Sequence, residues 1–292
     1  MPQPFVSVII PVFNDTDRLL ICLQHLQNQT YPRDKYEIIV IDNGSTEPVK
    51  SCQLATTVVL LEELQVGSYQ ARNKGLAIAQ GEVIAFTDSD CQPAVDWLEM
   101  GVQALLAAPD CGLVGGRIQV FPHNPAKMTI TEFYESLTAF PQEEYIEEYH
   151  FSAGANMFTW KRVVEEVGAF APALKSSGDA EWGNRIHAHG YALRYADTAV
   201  VAHPARRFLR EVVQKEVRKA GGFYDKNLPQ QPPLKELLRG FLPPVHLIRE
   251  ALDKHKPLTV KHKLYLIFIL NLLKYARGWE TLRLRLGGQS RR

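Results

Sequence analysis

Three apolar, β-rich runs near the start of this 292-residue chain each stop at a polar cluster, and no other feature constrains the fold as much. Val6 to Val12 runs into Phe13-Asn14-Asp15, Tyr36 to Ile41 into Asp42-Asn43-Gly44-Ser45, and Val83 to Phe86 into Thr87-Asp88-Ser89-Asp90. A further run spans Thr57 to Leu61. Continuous apolar runs read as strands buried on both faces. Between them lie helix signals. Asn14-Asp15-Thr16-Asp17 offers an N-cap for a helix through Arg18 to Gln29, and Ser68 offers one for a helix to about Ala79, broken at Gly81. Strands alternating with helices imply βα crossovers, so the expected fold is α/β, a mostly parallel central sheet with helices on both faces. Such sheets bind ligands outside the carboxyl ends of their strands, which predicts that the three polar clusters share one rim.

Further along, Gly112 to Val120 reads as a strand. Glu132 to Glu148 holds six glutamates and no Lys or Arg, which suggests a solvated surface or loop, with acceptor binding as the alternative. The turn Ser152 to Asn156 leads into a short strand, Met157 to Thr159, and a helix to Val167 that ends at Gly168. Gly178 to His189 reads as a helix stopped by Gly190, and Tyr191 to Ala202 as one or two strands ending at His203-Pro204. Beyond Arg206 the chain turns to helix signals and prolines, with Pro229, Pro232, Pro233, Pro243 and Pro244 marking a linker-like stretch. These breaks predict one domain over 1–205, with halves at about 1–120 and 121–205, and a basic helical extension over 206–292.

Thirty-three Lys plus Arg against 32 Asp plus Glu give no electrostatic case for a nucleic-acid partner. Cys22, Cys52, Cys91 and Cys111 lack the paired spacing of a zinc site and are too few for a disulfide scaffold, so they read as reduced thiols. The N-terminus lacks the basic stretch and long apolar core of a signal peptide. Leu264 to Leu273 is apolar but about half the ~20 residues that a bilayer span needs. Over 254–292 there are ten Lys or Arg and one acidic residue, Glu280. Basic residues around an apolar patch suit an in-plane seat on an anionic membrane, and a terminal helix packed on the domain is the alternative. The expected location is cytoplasmic, with peripheral contact at the inner face of the membrane.

The clusters have a chemistry in common. Cleaving a sugar–phosphate bond builds negative charge on a diphosphate, which a hard divalent cation held by carboxylates neutralises. Asp88 and Asp90 lie two residues apart just past a buried strand, where both can reach one ion directly or through its waters. A bare Asp-x-Asp also marks ordinary solvated turns. Asp42 is placed to accept from a base or ribose, though Asp42-Asn43-Gly44-Ser45 is equally a good turn sequence. Arg72-Asn73 offers a guanidinium fork and an amide for phosphate or base. Asp179 and Glu181 sit at a helix start, where the dipole favours an ionised carboxylate, and either can act as general base. His203 can complete a metal shell as neutral imidazole, or serve a structural role.

In this order the motifs resemble the inverting, nucleotide-sugar-dependent glycosyltransferases of family 2, which have the GT-A fold. The carriers are Val6 to Asn14, Ile39 to Thr46, Ala71-Arg72-Asn73-Lys74-Gly75, Gly81 to Asp90, Gly154-Ala155-Asn156-Met157 to Val167-Gly168-Ala169-Phe170, and Gly178-Asp179-Ala180-Glu181-Trp182 with Arg185. The resemblance covers roughly residues 5 to 205. It implies that Pro11, Phe13, Asn14, Asp42, Asn43, Arg72, Asn73, Asp88 and Ser89 handle the nucleotide sugar. It implies Asp88, Asp90 and His203 as metal ligands, Asp179 as base with Glu181 as its rival, and Gly154, Ala155, Asn156, Trp182 and Arg185 on the acceptor side. Position 13 is Phe where the family often has Tyr, and Gly178 stands where the usual Glu-Asp base motif has Glu.

The expected activity is transfer from a UDP-sugar, with Mg²⁺ or Mn²⁺, to a glycan or lipid-linked acceptor in polysaccharide or cell-surface glycan synthesis. UDP is favoured by its abundance in the family and not by any residue. A sugar-nucleotide nucleotidyltransferase would need a Gly-rich, basic loop after the first strand, and Phe13 to Asp17 is neither. No Gly-x-Gly-x-x-Gly supports a dinucleotide oxidoreductase. A degenerate, non-catalytic nucleotide-sugar-binding module is the remaining alternative.

Overall fold

A computed structural model describes residues 3–50, 54–55, 57–226, 240–255 and 257–290. Cys52, Pro229, Pro232, Pro233, Lys256, Arg291 and Arg292 lie outside them. The chain forms two compact units. The first comprises Met1–Gln119, Phe140–Ala173 and Gly178–His203, the second Val120–Ala139, Leu174–Ser177 and Pro204–Arg292.

The sheet begins with strands β1 (Val6–Val12), β2 (Tyr36–Asp42), β3 (Val58–Glu62) and β4 (Val83–Thr87). It continues with β5 (Gln92–Pro93), β6 (Cys111–Phe121), β7 (Asn156–Trp160) and β8 (Ala192–Pro204). Their order is β3-β2-β1-β4-β7-β6-β8-β5. The first four run parallel, and β7 enters antiparallel to β4. Helices α1 (Thr16–Gln27) and α2 (Ser68–Ile78) supply crossovers that parallel neighbours require. From β1 the chain moves outward to β2 and β3, then returns to β4 on the opposite side of β1. That reversal sets a topological switch point past the ends of β1 and β4, the usual ligand position in such sheets.

The two-residue period of β1 divides the core. Val6, Val8, Ile10 and Val12 pack with Leu19, Cys22, Leu23 and Leu26 of α1. Ile9 faces the other way, and with Ile41 it touches α2 at Gly75, where a Cβ would stand 2.7 Å from Ile9 Cγ2. Helices therefore cover both faces, and every residue of β1 is buried. Pro11 fits inside this central strand because Val12 accepts from Asn43 N–H on the β2 side. Pro11 consequently faces β4, where the ladder has already ended at the Ile9–Phe86 pair.

Some local expectations change. Ser68 is the first residue of α2 and Gly67 is its cap. Asp15 precedes α1 without capping it; its carboxylate accepts from Arg18 Nε at 2.7 Å instead. Helix α3 (Trp97–Leu106), unread from the sequence, buries Trp97, Leu98, Gly101, Val102 and Leu105. The glutamate-rich stretch is not a loop: it forms α4 (Ile130–Thr138) in the second unit and α5 (Gln142–Glu147) in the first. Glu132 is buried because it closes a capping box with Thr129. Glu135 is buried because Arg206 and Lys215 hold it, at 2.8 and 3.2 Å, and burial brings Lys215 down to about 8.

Helix α6 (Lys161–Val167) ends at Gly168, with φ +82°, and α7 (Gly178–Ala188) is followed by Gly190, with φ +88°. The second unit adds α8 (Leu209–Lys226), α9 (Val245–Lys254) and α10 (Val260–Arg285). Among the described residues no helix is long and apolar enough to cross a membrane.

Candidate active site

The register Val12↔Asp42 brings the ends of β1 and β2 level, and their loops are stitched together. Asn14, at φ +51°, donates its N–H to Ser45 Oγ at 2.9 Å and accepts from Thr46 N–H at 2.8 Å through its side chain. Asp42 is buried, and its two carboxylate oxygens accept from Ser45 and Val49 N–H at 3.0 and 2.9 Å. Asn43 donates to the Glu63 and Gln65 carbonyls and accepts from Gly67 N–H. These polar groups shape the rim. The Phe13 ring projects from it, 56% exposed.

At the end of β4 the two aspartates separate. The buried Arg72 guanidinium pairs with Asp88. Gly154 makes room for that guanidinium, since a Cβ there would stand 3.0 Å from its Cζ and Nη2. Arg72 Nε is buried without a hydrogen-bond partner. Asp90 instead meets His203, with Oδ1 3.6 Å from Nε2, and Arg18 of α1, at 3.6 Å. Burial pushes the Asp90 carboxyl above its usual range, against the pull of His203. Phe140, itself at φ +55°, backs the His203 ring at 4.7 Å. Ser89 is buried between the two aspartates.

Asp90, Cys91 and His203 present ligand atoms within 4.8 Å of one another. Cys91 is fully buried, and burial holds its thiol well above its usual range. Asp90 and His203 offer one carboxylate and one imidazole, a hard oxygen and a nitrogen that fit a divalent cation. Of the two aspartates only Asp90 belongs to this group, while Asp88 is turned to Arg72.

From α2, the Tyr69 hydroxyl accepts from Gly178 N–H at 2.9 Å and donates to Asp179 Oδ1 at 3.3 Å. Burial raises the Asp179 carboxyl, while Arg72 and the Tyr69 hydroxyl pull it back. Glu181 faces away: Arg185 holds both its oxygens, at 3.0 and 3.1 Å, and also donates to the carbonyls of Val167 and Ala169. The helical period explains the split, since residues two apart on a helix point in different directions.

The remaining expected residues form the wall. Asn73 clamps both main-chain groups of Phe170. Asn156 is fully buried, accepts from Trp97 Nε1 and donates to the carbonyls of Arg117 and Ala199. Ala155 accepts from Thr87 Oγ1. Trp182 is fully buried, donates to Gly168, and packs on Phe86 and Phe170. Asn156 and Trp182 thus have no exposed surface with which to touch an acceptor. Tyr69, Arg18 and Phe140 were not singled out from the sequence. Tyr69 lies three residues before Arg72, so helical spacing alone puts it on the same face of α2.

Residues 7–168 match the model of glycosyl transferase family 2. The chain is 37% identical over 265 residues to glycosyltransferase AglE of Haloferax volcanii, spanning 86% of each chain. It is 23% identical over 230 residues to a dolichyl N-acetyl-alpha-D-glucosaminyl phosphate 3-beta-D-2,3-diacetamido-2,3-dideoxy-beta-D-glucuronosyltransferase of Methanococcus voltae, spanning 73% of this chain and 71% of that one. Among solved structures, the mannosyltransferase PcManGT from Pyrobaculum calidifontis, in complex with GDP-Man and Mn²⁺, matches with a TM-score of 0.64 and 22% identity, over 97% of this chain and 88% of that one. That likeness speaks for the GT-A fold. The family model and the 37% relative go further: the chain is a glycosyltransferase and belongs to glycosyl transferase family 2.

Proposed function

We propose that the chain transfers a sugar from a nucleoside-diphosphate donor to an acceptor hydroxyl, with inversion, assisted by Mg²⁺ or Mn²⁺. One observation carries this reading. A single face of α2 presents Tyr69 and Arg72, and they bind respectively the candidate base Asp179 and the first aspartate of the Asp88-Ser89-Asp90 motif. The group that takes the acceptor's proton and the groups that meet the leaving phosphates are thereby fixed to one rigid element, as an in-line displacement requires.

In this reading the acceptor oxygen attacks the anomeric carbon as its proton passes to Asp179, and the bond from that carbon to the phosphate oxygen breaks. The raised carboxyl of Asp179 makes it a better proton acceptor than an ordinary carboxylate. Glu181, neutralised by Arg185, is the weaker base candidate. Arg72 stabilises charge on the departing diphosphate. A divalent cation at Asp90 and His203, with Asp88 beside it, would supply Lewis-acid stabilisation of the same charge. The exposed Phe13 ring offers a stacking surface for the base, and Pro11, Asn14, Asp42 and Asn43 hold the rim that receives it. Gly154 to Asn156, Trp182 and Arg185 shape the acceptor wall. We assign the chemistry to residues 1–205, with 206–292 as an extension.

The donor nucleotide remains the finest part of the proposal. Only abundance within the family favours UDP, whereas the structural neighbour holds GDP-Man, so GDP-mannose stands first and UDP-sugars second. The Methanococcus relative is named for a dolichyl-phosphate-linked acceptor, which supports a lipid-linked sugar, with a growing glycan next. Donor hydrolysis and transfer measured with Mn²⁺ over GDP- and UDP-sugars test this. Turnover of one donor is expected; nucleotide binding without any turnover would point instead to a non-catalytic module.

A further inference from the structure

Helix α10 is apolar on two opposite faces. Leu266, Ile269, Leu273 and Leu284 are buried, and Ile269 and Leu273 pack with Val212 of α8. At 3.6 residues per turn, Val260, Leu264, Phe268, Tyr275, Trp279 and Leu286 fall within an arc of about 100° on the other side. All six are exposed, Trp279 by 65% and Leu286 by 80%. Single exposed apolar side chains are ordinary, but six within one arc along a helix of ~39 Å, interrupted by Asn271 and by Gly278 where it is buried against Gly240 and Phe241, mark a contact surface.

Charge identifies the partner. The same spacing sets Lys261 on one border of the row and Lys263, Lys274 and Arg285 on the other. The one acidic residue of α10, Glu280, is buried on the opposite face and paired with Arg283 at 2.6 Å. A second copy docked face to face would bring these cations together. An anionic lipid surface would neutralise them while its acyl boundary takes the apolar row and the Trp279 ring sits at headgroup level. We propose that the second unit seats on an anionic bilayer surface through the exposed face of α10, with the helix lying in the membrane plane. This goes beyond the transferase reading and does not depend on it.

The test is vesicle partitioning of the full chain, read by sedimentation and tryptophan emission. Trp97 and Trp182 are fully buried and Trp160 is half-buried, so loss of the blue shift in Trp279→Phe assigns it to Trp279. Binding is expected to phosphatidylcholine vesicles containing phosphatidylglycerol, and to weaken with phosphatidylcholine alone or at high salt. Leu264→Ser with Phe268→Ser should lower the partition constant by about tenfold or more. Lys263→Glu with Lys274→Glu, which leaves the apolar row intact, should lower it by about tenfold or more as well. Two results would overturn the proposal: unchanged partitioning in both variants, or no binding by the parent protein. Self-association of the parent that Leu264→Ser with Phe268→Ser abolishes, without vesicle binding, would assign the face to a second copy.

Discussion

Tyr69→Phe removes one oxygen from the centre of the candidate site. The ring should stay, because it stacks on Phe170 at 5.6 Å and lies against Gly178, where even a Cβ would approach to 2.6 Å. Two interactions go. The Gly178 N–H loses its acceptor at 2.9 Å, and a buried unsatisfied donor costs about 1 to 3 kcal/mol. Asp179 loses a donor at 3.3 Å, near the long limit of a hydrogen bond, worth about 0.5 to 1 kcal/mol. That second loss disfavours the ionised carboxyl and moves its pKa further upward.

The sign follows from linkage. A carboxyl held above its unfolded value binds protons more tightly in the folded state, so its ionisation opposes folding as pH rises through the folded value. Tyr69→Phe should enlarge this loss at neutral pH and leave it absent in acid, whereas the Gly178 loss persists at every pH. Denaturant unfolding at neutral pH should show a total destabilisation of about 1.5 to 4 kcal/mol. The acid limb of the kcat/KM profile should move to higher pH. An acid limb that stays in place, with turnover unchanged, would refute the link between Tyr69 and Asp179.

Other substitutions probe the remaining parts. Gly154→Ala sets a Cβ 3.0 Å from the Arg72 guanidinium; donor dissociation measured by calorimetry should weaken by about tenfold, a loss near 1.4 kcal/mol. His203→Ala should weaken Mn²⁺ binding, followed by electron paramagnetic resonance, by about tenfold or more, with nucleotide affinity in the absence of metal kept. Glu181→Gln breaks a partly exposed pair with Arg185, so it should lower stability by under about 1 kcal/mol and leave the pH profile in place.

Much of the nucleotide half is visible in the sequence because its strands are buried on both faces. Val6–Val12 has the same limits in the sequence reading and in the fold, and the ends of β2 and β4 move by one residue. The convergence of Phe13, Asp42 and Asp88 on one rim follows from strand direction alone. Side-chain partners do not. Tyr69 and Asp179 are 110 positions apart and Arg72 and Asp88 are 16 apart, and no local pattern says that one aspartate of the motif takes a guanidinium while the other takes an imidazole. Asn73, Asn156 and Arg185 look like ligand contacts in the sequence because they are polar, yet each satisfies main-chain groups inside the fold. Glu132 and Glu135 mislead for the same reason, since a run of glutamates says nothing of a distant Arg206 or Lys215. The two-faced character of α10 is hidden as well, because only packing tells which apolar side is covered.

The most direct measurement of the central claim compares the parent chain with Asp179→Asn, following sugar release from GDP-mannose and UDP-sugars with Mn²⁺ alongside nucleotide binding by calorimetry. The account predicts donor affinity close to that of the parent and turnover lower by about a hundredfold or more. Full turnover in Asp179→Asn, with loss in Glu181→Gln instead, would contradict it.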